Sequence, residues 1–77
     1  MSPKDLKACK QIAEKIVSNF KTIREEKKMS KNELSQRTGL ARSAILRIET
    51  AQRSPSLLNV IKLCHGLEIT LEELLSE

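Results

Sequence analysis

A chain of 77 residues holds one domain and one modest core, and with Phe20 its single aromatic residue that core must be built from Leu, Ile and Val. One aspartate, one histidine, no tyrosine and neither a Gly-rich phosphate loop nor a metal-ligand cluster argue against an enzyme, a cofactor or a metal. The net charge is +4, and its distribution along the chain says more than the total; no apolar run spans a bilayer and MSPKDLKACK lacks a signal-peptide centre, so a cytoplasmic protein without a membrane partner is expected.

Ser2-Pro3-Lys4-Asp5 reads as a helix start, with serine at the cap, proline in the first turn and aspartate at the positive dipole end. Leu6, Cys9, Ala13, Ile16, Phe20 and Ile23 follow at spacings of three and four, with Ile12 and Val17 widening the stripe, which predicts one helix from about Pro3 to Lys27. Ser30 and Glu33 form a capping-box pattern that starts a second helix with Leu34 inward. That helix is expected to stop at Gly39, the residue that most easily adopts a left-handed cap, with Leu40 plugging the corner. A third helix over 41–49 buries Ile45 and Ile48 and turns Arg42, Ser43, Leu46 and Arg47 outward. Thr50 to Ser54 is a loop. Pro55-Ser56 opens a fourth helix whose apolar faces are Leu57, Leu58, Val60, Ile61 and Cys64, ended by Gly66. Thr70 and Glu73 form a second capping box before a short last helix, LEELL. The reading is all-α, five helices and no strand, with no repeat and no linker, hence a single domain over 1–77.

Two short helices meeting through a glycine turn over about 30–49 make a helix-turn-helix, whose second helix can enter a DNA major groove. Lys21 to Arg53 holds nine basic residues against four acidic ones, while Ser54 to Glu77 holds one lysine against four glutamates. A basic excess concentrated on the helix-turn-helix is the footprint of a phosphate-binding face. The N-terminal residues of the second helix reach the bases in this geometry. Arg42 and Arg47 can each donate two hydrogen bonds to guanine, Ser43 can serve several bases, and Leu46 can press on a thymine methyl or pack at a dimer contact. Lys31, with the backbone N–H groups at its helix start, is expected on phosphate, together with Arg37, Arg53, Lys28 and Lys27.

The segment resembles the phage repressor and Cro family, the Xre-type regulators. The likeness rests on Ser35, Gly39, Ile45 and Ile48, on IREEKKMS before the motif and on IETAQRSPSLLNVIKLCHGLEITLEELL after it. It extends from about Ile16 onward. The resemblance implies a lambda-repressor-like DNA-binding domain whose first helix is longer than usual by a helical extension over 1–15. It also implies that Arg24 bridges Glu49 and braces the recognition helix. Ala51 stands where relatives commonly carry glycine, and Lys31 where they often carry glutamine. Phage repressors, restriction–modification controllers and mobile-element regulators all fit a domain of this size. The alternative is an antitoxin or antagonist whose main partner is a protein, a toxin or another regulator.

One recognition helix covers few base pairs, too few to stand out among about 10⁶–10⁹ competing sites, so a homodimer on a two-fold double-stranded operator is expected, acting as a repressor. Leu71, Leu74, Leu75 and the extended first helix are the candidate dimer surface. Cys9 and Cys64 match no ligand spacing; a disulfide or a redox switch is the functional alternative, and two reduced thiols acting as small apolar residues are expected. His65 cannot face its neighbour Cys64, because adjacent helical residues point about 100° apart; it reads as a polar residue near a helix C-terminus.

Overall fold

A computed structural model describes residues 2–50 and 52–76. Its elements are all helical: α1 (Pro3–Glu26), α2 (Lys31–Thr38), α3 (Arg42–Glu49), α4 (Leu57–Leu67) and α5 (Leu71–Ser76). The five-helix, all-α expectation holds.

Local chemistry sets most boundaries. Ser2 Oγ accepts from the Asp5 N–H at 3.3 Å and Asp5 accepts from the Ser2 N–H at 3.4 Å, closing a capping box at the start of α1. Ser30 Oγ accepts from the Glu33 N–H at 3.0 Å. The other half of that expected box does not form, because the Glu33 carboxylate accepts instead from Arg37 Nη2 at 2.8 Å. Gly39 ends α2 at φ +77°, its N–H donating to the Ser35 carbonyl at 2.9 Å. Ser35 Oγ then donates to the Leu40 carbonyl at 2.6 Å, and the half-buried Leu40 packs against the core. Thr50 caps α3; the residue at which relatives commonly place glycine, Ala51, lies outside the described residues.

Two helices end in left-handed residues that are not glycine. Past α1, Lys28 sits at φ +55°, with its N–H donating to the Glu25 carbonyl and the Met29 N–H to the Arg24 carbonyl, both at 3.0 Å. Past α4, Glu68 sits at φ +59° with the same pair of bonds, to His65 and Cys64. Both are Schellman ends. Gly66 therefore does not terminate α4, as its position suggested; it lies buried within the last turn. A Cβ there would stand 2.6 Å from Thr38 Cγ2 and 3.1 Å from Leu34 Cδ1, so the glycine serves close packing of α4 on α2.

Phe20, Leu34, Ile45, Ile48, Leu63, Leu67 and Leu74 are sealed at the centre. Leu74 thus belongs to the core and leaves the candidate dimer surface. Conversely Leu57, Leu58 and Ile61, expected to supply α4's apolar faces, are exposed, because only the Val60, Leu63, Cys64 and Leu67 side of α4 meets the bundle. No helix among the described residues is long and apolar enough to cross a membrane.

Candidate nucleic-acid interface

α3 is a two-faced helix. Ile45 and Ile48 are 1% and 2% exposed, while Arg42, Ser43, Leu46 and Arg47 all lie open on the other side. Three-residue and four-residue spacings produce this division, since 42, 43, 46 and 47 fall on one arc and 45 and 48 on the opposite one. Ala41 precedes the helix without a side-chain cap, so no side chain closes off its first turn.

Behind that helix stands a buried ion pair. Arg24 Nε donates to Glu49 Oε2 at 2.7 Å, Nη2 to Oε1 at 3.0 Å, and Nη1 to the Met29 carbonyl at 2.8 Å. The Glu49 hydrogen bonds hold the Arg24 guanidinium above its ordinary pKa, against the opposing effect of burial. One guanidinium thus joins α1, the turn leading into α2, and the last residue of α3. The Met29 carbonyl carries no sequence signal, since any residue would supply it.

The basic residues around the motif divide in two. Lys31 is half-buried at the first position of α2, and Lys27, Lys28 and Arg53 are exposed in the turns after α1 and α3. Arg37 is spoken for: its Nη2 meets Glu33 at 2.8 Å and its Nη1 meets Glu68 at 3.2 Å. The Glu33–Arg37 spacing of four was visible in the sequence as a helical ion pair. The Glu68 contact needed α4 folded against α2. Cys9 and Cys64 are both free thiols, the first exposed and the second buried, where burial pushes its pKa up. No group of three or more metal-ligating side chains occurs among the described residues.

A helix-turn-helix with an exposed basic second helix defines a DNA-binding regulator. The helix-turn-helix family pattern matches residues 20–74, and the chain belongs to that family, in its Cro/C1-type or Xre branch. Its fold is similar to that of the restriction–modification controller protein C.AhdI from Aeromonas hydrophila, at 33% identity, TM-score 0.75, and 83% of this chain against 96% of that one. It is likewise similar to a single-substitution mutant of the restriction–modification controller protein C.Esp1396I, at 28% identity, TM-score 0.80, and 84% of each chain. No curated protein matches the chain significantly. The family makes it a DNA-binding transcriptional regulator.

Proposed function

We propose that the chain is a sequence-specific repressor that binds a two-fold operator as a homodimer and lays α3 in the major groove. One observation carries this reading: Arg42, Ser43, Leu46 and Arg47 form the open face of a helix whose other face is locked into the core and whose end is braced by Arg24. Arg42 and Arg47 read bases, with Ser43 and Leu46 supporting them. Lys31, Lys28 and Arg53 hold phosphate and fix register. Arg37 is left out of that set, because its guanidinium lies between two carboxylates. The likeness to restriction–modification controllers favours the same kind of genetic setting.

A protein-directed role would call for an apolar or acidic outer face on α3, and this face carries two arginines and no acid before Glu49. Selection of bound duplexes from a random library at near-physiological salt tests the reading. A two-fold motif with half-sites about one turn apart is the expected result. Failure of the folded protein to enrich any sequence would overturn it.

A further inference from the structure

The N-terminal half of α1 stands outside the bundle. Every residue from Pro3 to Lys15 is exposed, and the bundle first covers the helix at Ile16 and Val17. A helix of 24 residues is about 36 Å long, nearly the whole 40 Å length of a molecule otherwise 24 by 19 Å across. Leu6 and Ile12 lie on this overhang, 48% and 61% exposed. A helix of three or four turns left exposed along its length is marginal in water. Such an arm calls for a surface to lie on.

An apolar surface lies at its root. Asn19 Nδ2 donates to the Leu74 carbonyl at 2.9 Å, and Ile16 and Val17 share a groove of about 360 Å³ with Pro55 and Val60. The end of α5 and the first half of α4 therefore flank the same stretch of α1. On their outer sides Leu57, Leu58, Ile61, Leu71 and Leu75 are 47–72% exposed. Five exposed large apolar side chains on two adjoining helices mark an interaction surface.

Charge and geometry together select the occupant. Residues 2–15 carry four lysines against Asp5 and Glu14, whereas residues 57–76 carry Glu72 and Glu73 against Lys62, with Glu68 already paired to Arg37. A basic arm suits an acidic face, and two basic arms repel each other. The arm cannot fold back on its own face, because α1 runs without a break from Pro3 to Glu26. A second copy can supply it. We propose that the N-terminal half of α1 is an exchange arm that lies across the α4–α5 apolar face of a second copy, each subunit's arm on the other's face. The arrangement closes under a two-fold axis. It rests on the homodimer reading and gives that dimer its surface.

Sedimentation equilibrium on the full chain tests it with two variants at exposed positions, the arm pair Leu6→Glu with Ile12→Glu and the face pair Leu71→Lys with Leu75→Lys. Each variant alone should weaken dimerisation at least about 100-fold, since every lost apolar contact counts twice, with the cooperative thermal unfolding of the bundle retained. Mixing the two should restore dimers, because a mixed dimer keeps one parental arm–face contact and sets the introduced glutamates against the introduced lysines in the other. A folded arm variant that dimerises like the parent, or a mixture that stays monomeric, overturns the exchange arm while leaving the homodimer standing. A parent chain that stays monomeric both free and on its operator removes the homodimer reading and the arm with it.

Discussion

Arg24 and Glu49, twenty-five residues apart, meet through two parallel N–H···O bonds of 2.7 and 3.0 Å with both side chains less than a tenth exposed. Bidentate geometry of this kind is the strong form of the arginine–carboxylate bond. It ties the last residue of α3 to α1, so the outward residues of α3 inherit the rigidity of the longest helix.

Removing one partner strands a buried charge, and Glu49→Ala should cost about 3–5 kcal/mol. In a domain of this size such a loss lowers the melting temperature by well over 10 °C, at about 4–8 °C per kcal/mol. Replacing both partners, with Arg24→Met and Glu49→Leu together, should recover much of the loss, because no charge is then left unmatched. Thermal melts of the single and double variants decide the matter. A cost for Glu49→Ala within about 1 kcal/mol would mean that the pair behaves as a solvated surface bridge.

Gly66→Ala places a methyl group 2.6 Å from Thr38 Cγ2, and the flanking Leu34 Cδ1 at 3.1 Å leaves it little room to shift. Forced overpacking of this sort costs about 1–3 kcal/mol. Urea unfolding should show it as a lower midpoint at unchanged slope. The substitution removes no terminator, so α4 should keep its helical content. A loss of helix in the native state would restore the capping role that the sequence suggested.

That glycine illustrates what a sequence shows and what it hides. Ser2, Ser30, Ser56, Thr70 and Gly39 act through neighbours within five residues, so their capping roles were readable from spacing alone. Ile45 and Ile48 were readable too, because helical period separates an inner face from an outer one. Gly66 gave the wrong signal because its reason lies across the fold, in Leu34 and Thr38. Leu57, Leu58 and Ile61 misled likewise: hydrophobicity predicts burial, but the bundle offers α4 only one side. Arg37 was expected on phosphate; its Glu33 partner lies four residues away in sequence, but its Glu68 partner comes beside it only when α4 packs on α2.

Lys28 holds a left-handed conformation, at φ +55°, that glycine adopts without steric cost. Lys28→Gly should therefore stabilise the domain by about 1 kcal/mol, since the left-handed region costs an L-residue about 1–2 kcal/mol and glycine's added chain entropy returns part of that gain. The same change deletes a proposed phosphate contact, so operator affinity should fall and the salt dependence should flatten by about one unit. Stability and affinity moving in opposite directions is the signature to look for. An unchanged salt slope would remove Lys28 from the interface.

Burial raises the Cys64 thiol pKa, which fixes how stability responds to alkali. In the unfolded chain a cysteine ionises near its ordinary value of about 8.5. The native thiol stays protonated to higher pH, so above about 8.5 the unfolded state loses its proton first and stability falls with rising pH. Stability is undiminished below that point. In a Cys9→Ser background, unfolding measured from neutral to alkaline pH should show the decline, and Cys64→Ala should flatten it. Equal slopes with and without Cys64 would assign the alkaline loss to other groups.

Arg47 and Lys31 separate reading from holding. Arg47 lies exposed one turn into α3, where a guanidinium can address a base edge, while Lys31 is half-buried at the start of α2. Arg47→Ala should cost about 1–3 kcal/mol on the preferred operator and relax selection at one position of each half-site. Lys31→Ala should weaken all duplexes alike and reduce the salt slope by about one unit. Binding isotherms on the selected operator and on single-base variants, each at two salt concentrations, distinguish the roles. Uniform weakening from Arg47→Ala would move that residue to the backbone, and altered sequence preference from Lys31→Ala would make the lysine a reader.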